Sequence, residues 1–226
     1  MTNDSTMSLI DAIKTRRSVR GYKTQLVPQS TIDNILKLAQ QSPSNCNIQP
    51  WEVMLASGDQ CDALRKKMHD AFLSGKALEP DFSALPRFSG AMKSRQIECA
   101  QALYGAMGIE RSDKSGRLQA TANNYDFFGA PHVLFVGMNK SFSPSIAVDI
   151  GMYAQTLMLL LTAHGIGSCA QASTAYYPSI VRDFFQVEGT TGILFGISFG
   201  YEDQSILANA ARTNRADIEE IIVTKT

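Results

Sequence analysis

Residues 131–165 run PHVLFVGMNKSFSPSIAVDIGMYAQTLMLLLTAHG and combine two strong structural patterns. After Pro131, the segment His132–Gly137 is almost wholly apolar, which predicts a central strand buried on both faces. Pro144 predicts the start of a long helix that reaches about residue 164, with Gly165 after it as a stop. A buried strand followed by a long apolar helix predicts a helix packed on a sheet.

The apolar part of this helix, residues 150–163, is too short to span a membrane. It covers about fourteen residues, whereas a bilayer requires roughly 20, and it contains Gln155. The sequence therefore predicts a buried core helix and no membrane partner.

The rest of the chain surrounds this unit with more helices and strands. Helices are expected over 8–15, 29–41, 59–74, 91–107, 113–124 and 177–186, and strands over 51–56, 192–200 and 218–223. Residues 76–90 contain two prolines and little periodicity, so we interpret them as an excursion, and 76–125 as a variable lid region. Without internal repeats or linkers, residues 1–226 are expected to form one domain of the α+β or α/β class, with helices covering a central sheet.

Composition excludes several functional classes. Lysine plus arginine equals aspartate plus glutamate at 21 each, which argues against a nucleic-acid partner because phosphate neutralisation requires clustered excess positive charge. The N-terminus places polar residues before basic ones, the reverse of a secretory signal, so a cytoplasmic protein is expected. Four cysteines without a CxxC pair and three scattered histidines predict no metal site.

One glycine motif is misleading. Gly165–Ala170 matches the G-x-G-x-x-A dinucleotide fingerprint. That fingerprint works only after a strand and at the start of a helix. Here it follows a helix and enters a strand-like segment, so a Rossmann-type site is disfavoured.

Two arginine groups are candidates for binding a phosphate. In Arg16-Arg17-Ser18-Val19-Arg20, an extended backbone turns Arg16, Ser18 and Arg20 the same way, which suits a phosphate clamp. A solvated basic turn is the alternative. Arg212 and Arg215 form a second pair, which are surface charges unless the tail folds back toward Arg16.

Two polar segments could contact a flat ring. The loop Pro43–Pro50 offers amide donors and acceptors from a rigid frame, although a plain turn is equally compatible. The segment Ser168–Ser173 is small and polar, so a ring could approach its backbone closely. A Ser-His-Asp or Cys-His set is not found, which is no obstacle when a cofactor carries the reactive atom.

Taken together and in order, these segments resemble the FMN-dependent nitroreductase family over nearly the whole chain, especially its branch of nitrobenzoate and nitroaromatic-herbicide reductases. The motifs that carry the resemblance are Ala12–Arg20, Pro43–Trp51, Phe127–Pro131, Asp149–Gln155, Gly165–Ser173, Gly200-Tyr201 and Asn209–Arg215. Each motif is weak alone, and their order makes the set specific.

The resemblance implies an α+β sandwich in which a central, mainly antiparallel sheet has helices on both sides. It also implies a homodimer, formed through the long helices, whose C-terminal tail embraces the partner subunit. The implied FMN ligands are Arg16, Arg17, Ser18, Arg20, Arg212 and Arg215 on the phosphate and pyrimidine edge, Pro43, Ser44, Asn45 and Asn47 from the other subunit, and Ala170, Gln171, Ala172 and Ser173 along the ring. Some family members carry an acidic residue and a glycine at the positions of Ala172 and Ser173, so no role of that acidic side chain carries over.

The implied activity is two-electron reduction of nitroaromatic compounds with NADH or NADPH, both substrates using one site in turn. Candidate pocket walls are Trp51, Tyr125, Phe127 and Phe128, for which core packing is the alternative. The alternatives for the function are reduction of activated alkenes, quinones or halogenated aromatics, or flavin binding without turnover.

Overall fold

A computed structural model describes residues 7–83 and 87–225 of the chain. Within these residues the helices are α1 Leu9–Thr15, α2 Gln29–Ala39, α3 Asp59–Leu73, α4 Gly90–Ala106, α5 Lys114–Ala122, α6 Ala147–Ala163 and α7 Pro178–Phe185. The strands are β1 Glu52–Ser57, β2 His132–Asn139, β3 Gly167–Gln171 and β4 Thr191–Gly200. These bounds agree with the sequence-based prediction for every helix and for the strands β1, β2 and β4.

The four strands form one antiparallel sheet in the order β1-β2-β4-β3. β2 and β4 lie at its centre, where His132 pairs with Phe199 and Asn139 with Thr191. The first seven residues of β2 are buried, which confirms the predicted central strand. Because every neighbouring pair is antiparallel, the class is α+β and the α/β alternative is excluded.

Helices cover both faces of this sheet. Successive residues of β2 point to opposite faces, so Leu134 packs in the cluster that contains Ile150 of α6 and residues of α2. Phe135 packs on the other face, in the cluster that contains Leu64 of α3 and Val181 of α7. The predicted sandwich is therefore confirmed, with the sheet as its middle layer.

The helix α6 buries one face against the sheet and α2. Its buried residues recur at helical spacing: Asp149, Ile150, Tyr153, Ala154, Leu157 and Leu161. With the turn that begins at Pro144, the helical segment reaches 20 residues and is long and apolar enough to cross a membrane. Its packing in the core identifies it instead as the central helix of the sandwich.

The tail prediction over 218–223 is wrong. A short 3-10 turn occupies Ile218–Glu220, and Ile221 and Val223 are exposed. A strand requires a neighbouring strand to satisfy its backbone groups, and this tail pairs with none in the described chain. The tail lies instead beside α4, where Arg95 forms an ion pair with Glu220 at 2.6 Å.

The segment 76–125, which the sequence predicts to be a lid region, contains α4 and α5, and its residues 84–86 lie outside the described ranges. The segment that precedes them is attached to the sheet, because the buried carboxylate of Asp81 pairs with Arg182 and accepts a hydrogen bond from Ile193 N at 2.9 Å. By contrast, α4 buries none of its own residues in the described chain. The segment therefore begins with residues that are attached to the sheet and continues with the exposed helix α4.

Candidate cofactor site

The first arginine group lies in an extended segment beside β3. The Ser8 side chain caps α1 by accepting from Asp11 N at 3.1 Å. After α1 ends at Thr15, the backbone becomes extended, and Val19 N donates to Ser168 O at 3.0 Å. The Val19 side chain is buried, whereas its neighbours on both sides are partly exposed, as the alternation predicts. The arginines on either side of Val19 are thereby held at the edge of the sheet.

The C-terminal tail folds back onto this segment. Lys23 N donates to Tyr201 O at 2.8 Å, and the Arg17 guanidinium forms an ion pair with Glu202. Gly21 permits close contact, since a Cβ there would lie 2.4 Å from the Ile206 side chain. The tail thus folds back toward Arg16, as is required if the two arginine groups are to lie close together.

Both arginine groups line one cleft with a volume of about 760 Å³. Its lining residues are Ile13, Lys14, Thr15, Arg16, Arg17, Ser18, Arg20, Cys99, Leu103, Gln155, Ala211, Arg212, Thr213 and Arg215. Six of these side chains are cationic and none is a carboxylate. Like charges brought together without a counter-charge repel each other, so the cleft is suited to an anion.

The cations of the cleft differ in how they are engaged. Arg212 Nη1 donates to the carbonyls of Asn209 and Ala211 at 2.8 and 2.9 Å, which leaves its charge unneutralised. Arg215 bonds in the same way to backbone oxygens of its own turn. Arg17 is the exception because Glu202 compensates its charge. In the described contacts Arg17 holds the tail, and no carboxylate pairs with the other cations of the cleft; cofactor binding by Arg17 stays a prediction.

Phe128 is the one candidate pocket wall that is half-exposed, and the Arg20 guanidinium lies 5.9 Å from its ring centroid. The other three rings pack in the core, as the alternative interpretation predicts, and their role as pocket walls stays a prediction. Trp51 is 8% exposed and stacks on Tyr153 at 4.9 Å, while Tyr125 and Phe127 are 2% and 0% exposed in the core. Burying a large ring removes much apolar area from water, so these rings support the sheet.

The loop Pro43–Pro50 has a constrained backbone and exposed polar groups. Asn45 N donates to the buried Asp149 carboxylate at 3.1 Å, and Gln49 N donates to Ser44 Oγ at 2.9 Å. Cys46, Asn47 and Gln49 have φ values of 49°, 56° and 48°, a region that non-glycine residues rarely adopt. Pro43 and Asn47 are exposed, and within the described chain the loop does not line the arginine cleft of its own subunit.

The end of β3 and the turn after it present small side chains. Ala170 and Ala172 are exposed, Ser173 is half-buried and Gln171 is buried. The Gln171 amide donates to Asn124 O at 2.8 Å, while its Oε1 atom has no partner among the described residues. These residues lie outside the cleft lining, but Ser18 pairs with Ser168 at the other end of the same strand. The Rossmann alternative fails here, because Gly167 begins a strand after a helix.

A thiol lies beneath the first arginine group but is not activated. Burial raises the pKa of Cys169 above its ordinary value, and the nearby Arg20 and Arg16 guanidinium groups oppose this only in part. Because the thiolate is the nucleophilic form, Cys169 stays a neutral packing residue.

Asn209 is a residue that the sequence-based assignment missed. It is buried and hydrogen-bonds to the segment of the first arginine group. The resemblance includes it in the motif Asn209–Arg215 without giving it a role, and only the contacts of the folded chain show what its side chain does.

Comparisons with known proteins show the family to which the chain belongs. The profile of the Nitroreductase family matches residues 13–201. Nitroreductase NfnB of Mycolicibacterium smegmatis is 39% identical over 213 residues, which cover 92% of this chain and 88% of the relative. A 4-nitrobenzoate reductase of Nocardioides sp. is 34% identical over 206 residues, which cover 89% and 83%. The crystal structure of FMN-dependent NfnB from Mycobacterium smegmatis in complex with NADPH superposes with a TM-score of 0.92 at 36% identity, covering 97% of this chain and 100% of that chain.

Proposed function

Because the chain belongs to the nitroreductase family, we propose that it binds FMN and reduces nitroaromatic compounds with NADPH or NADH. The observation that carries the proposal is the cleft in which residues from both ends of the chain place six cations and no carboxylate. The names of its relatives support the ligand and the substrate class, since one is FMN-dependent and bound to NADPH and another reduces 4-nitrobenzoate.

The residues of the cleft fit the phosphate group of FMN. Arg16, Ser18, Arg20 and Arg215 supply charge-assisted and hydroxyl hydrogen bonds to phosphate oxygens, with Arg212 beside them. A phosphate dianion would offset the repulsion between these arginines, which no carboxylate of the cleft lining offsets. The volume of about 760 Å³ lies within the range of small-molecule sites.

The exposed end of β3 fits the ring of FMN. Ala170 and Ala172 project no bulky group, so a flat ring can lie against the backbone and receive hydrogen bonds from its N–H groups. Bound there, FMN would supply the hydride chemistry that couples oxidation of NAD(P)H to reduction of a nitro group. The chain orients the ring and binds its phosphate, and Gln171 and Ser173 complete the lining of the proposed ring site.

A homodimer with two such sites is part of the proposal. Leu9, Ile10 and Ile13 of α1 and Val148 of α6 are large apolar side chains that remain more than half exposed in the single chain. Apolar patches of this kind mark protein interfaces. The loop Pro43–Pro50 contributes nothing to the cleft of its own subunit, which supports a contribution of Pro43, Ser44, Asn45 and Asn47 to the partner's cofactor. The exposed apolar tail supports an embrace of the partner.

We further propose that the protein acts in the cytoplasm. All four cysteines are free thiols. Free thiols are the usual state where glutathione and thioredoxin maintain reducing conditions.

The visible absorption spectrum of the purified protein tests the cofactor. We expect flavin bands that bleach on anaerobic addition of NADPH or NADH and return when 4-nitrobenzoate is added. The same experiment without a nitro compound is the control, in which the bleached state persists. A protein that shows no flavin bands after incubation with FMN contradicts the proposal.

Steady-state kinetics test whether both substrates use one site. If NADPH and the nitro compound occupy the same face of the ring in turn, double-reciprocal plots at several fixed nitro concentrations are parallel. Intersecting lines, together with a ternary complex seen in stopped-flow measurements, contradict a shared site.

A further inference from the structure

We propose that Asn209 is a positioning residue that holds the two arginine groups in the geometry that binds the FMN phosphate. The inference rests on the proposed function of the cleft and adds a residue that does not line it. Asn209 would act on the ligand only through the arginines that it contacts, Arg17, Arg20 and Arg212.

The Asn209 side chain attaches the tail to the backbone of the first arginine group. It is 4% exposed, and its Oδ1 atom accepts a hydrogen bond from Arg20 N at 2.6 Å. Its Nδ2 atom donates to Gly21 O at 2.8 Å and to Asp203 O at 2.9 Å. One amide thus uses its acceptor and both donor hydrogens, and it joins two segments about 190 residues apart in the sequence.

The backbone carbonyl of Asn209 extends the link to two arginine side chains. It accepts from Arg17 Nη1 at 3.1 Å and from Arg212 Nη1 at 2.8 Å. The residue therefore contacts the main chain of Arg20 and the guanidinium groups of Arg17 and Arg212. No other residue that the structure describes has this set of contacts.

Such a link is needed because the cations repel one another. Bringing Arg212 and Arg215 next to Arg16 and Arg20 costs Coulomb energy before an anion binds. Glu202 lowers this cost only at Arg17. A further carboxylate beside the other arginines would neutralise the cleft and compete with the phosphate. A neutral amide holds the segments together without reducing the positive potential.

Loss of the Asn209 side chain is expected to loosen the arginines without releasing the tail. Glu202 still pairs with Arg17 and with the backbone of Tyr22. Ile206 still packs against Gly21. Because these contacts still hold the tail in place, we expect only the positions of the arginine side chains to change. The variant should therefore affect binding of the phosphate more than binding of the ring.

The test compares FMN with riboflavin, which lacks the phosphate, as ligands of the apoprotein of each variant. For Asn209→Ala we expect FMN affinity to fall about tenfold or more, because lost pre-organisation of charged hydrogen bonds is costly. Riboflavin affinity is expected to change less than about threefold, since riboflavin lacks the phosphate that the arginines are proposed to bind. The ratio of the two affinities is a readout that general destabilisation does not move.

Asn139→Ala is the matched control. Its amide oxygen accepts from Ser141 N and Oγ at 2.9 and 2.7 Å, at the end of β2 and outside the cleft lining. We expect both affinities to match those of the unmodified protein. Asn209→Ser removes less of the side chain and keeps one hydroxyl, so its FMN-to-riboflavin ratio is expected to lie between those of Asn209→Ala and the unmodified protein.

Two results overturn the inference, and they differ in what else they overturn. If the Asn209 variants bind both ligands more weakly by the same factor, Asn209 has only a structural role and the proposed function stands. If the unmodified protein binds riboflavin as tightly as FMN, the cleft does not bind the phosphate, and the proposed function fails together with the inference.

Discussion

Replacement of both Arg16 and Arg20 by alanine is expected to weaken FMN binding by about 100-fold or more, since hydrogen bonds to charged groups contribute about 1.5–3 kcal/mol each. Both side chains line the cleft, and neither has a carboxylate partner among the described residues. Their removal therefore deletes phosphate contacts without leaving an unpaired buried charge. Fluorescence titration of the apoprotein with FMN measures the effect.

Arg111→Ala is the control for this double variant. Arg111 is exposed and absent from the cleft lining, so its loss is expected to leave FMN affinity unchanged. Riboflavin binding by the double variant should fall much less than FMN binding. An equal loss for both flavins would show that the two arginines do not recognise the phosphate.

The second large effect concerns stability in acid and depends on His132. The residue is 1% exposed, its ring stacks on Phe199 at a centroid distance of 4.9 Å, and Nε2 accepts a hydrogen bond from Val27 N at 2.9 Å. Burial lowers the pKa of His132 from 6.5 to about 4. The Val27 hydrogen bond acts in the same direction, because it requires an unprotonated Nε2.

Proton linkage sets the direction and the window of the effect. The unfolded chain binds the proton below about pH 6.5, whereas the folded chain does so only near pH 4. The contribution of His132 to the free energy of unfolding is therefore complete above pH 6.5. It is lost as the pH decreases to 4, which lowers the free energy of unfolding by about 3 kcal/mol. Urea unfolding at a fixed excess of FMN, repeated between pH 4 and pH 7, measures the loss.

His132→Gln isolates this contribution from that of the carboxylates. The variant is expected to be less stable at pH 7 and to lose less further stability between pH 6.5 and pH 4. His69→Gln is the matched control, since His69 is partly exposed; His132→Gln should differ from it by losing less stability between pH 6.5 and pH 4. If the two variants lose equal stability over this range, buried His132 is not the source of the acid dependence.

Local patterns predicted much of the fold. The apolar run of β2 and the long apolar helix that begins at Pro144 were identifiable because their apolar residues follow the spacing of a buried strand and a core helix. The arginine group at 16–20 was identifiable because three guanidinium groups and a hydroxyl within five residues form an unusual local cluster. The resemblance then ordered these segments into a known sandwich.

The sequence did not determine properties that depend on neighbours distant in the sequence. Apolar residues 218–223 match a strand pattern, but a strand exists only where another strand pairs with it, and the tail runs beside α4 instead. The composition of Trp51, Tyr125 and Phe127 is compatible with a pocket wall or with the core, and only the packing around them shows that they are buried.

Sequence alone was enough to establish the types of element and the charge groups of this protein, because periodicity and local charge are properties of short segments. Folding was needed to establish which segments meet: the fold-back of residues 201–215, the shared cleft and the link through Asn209. Contacts between residues some 190 positions apart depend on how helices and strands pack. The packing energy is distributed over the whole core, so no single segment of the sequence determines it.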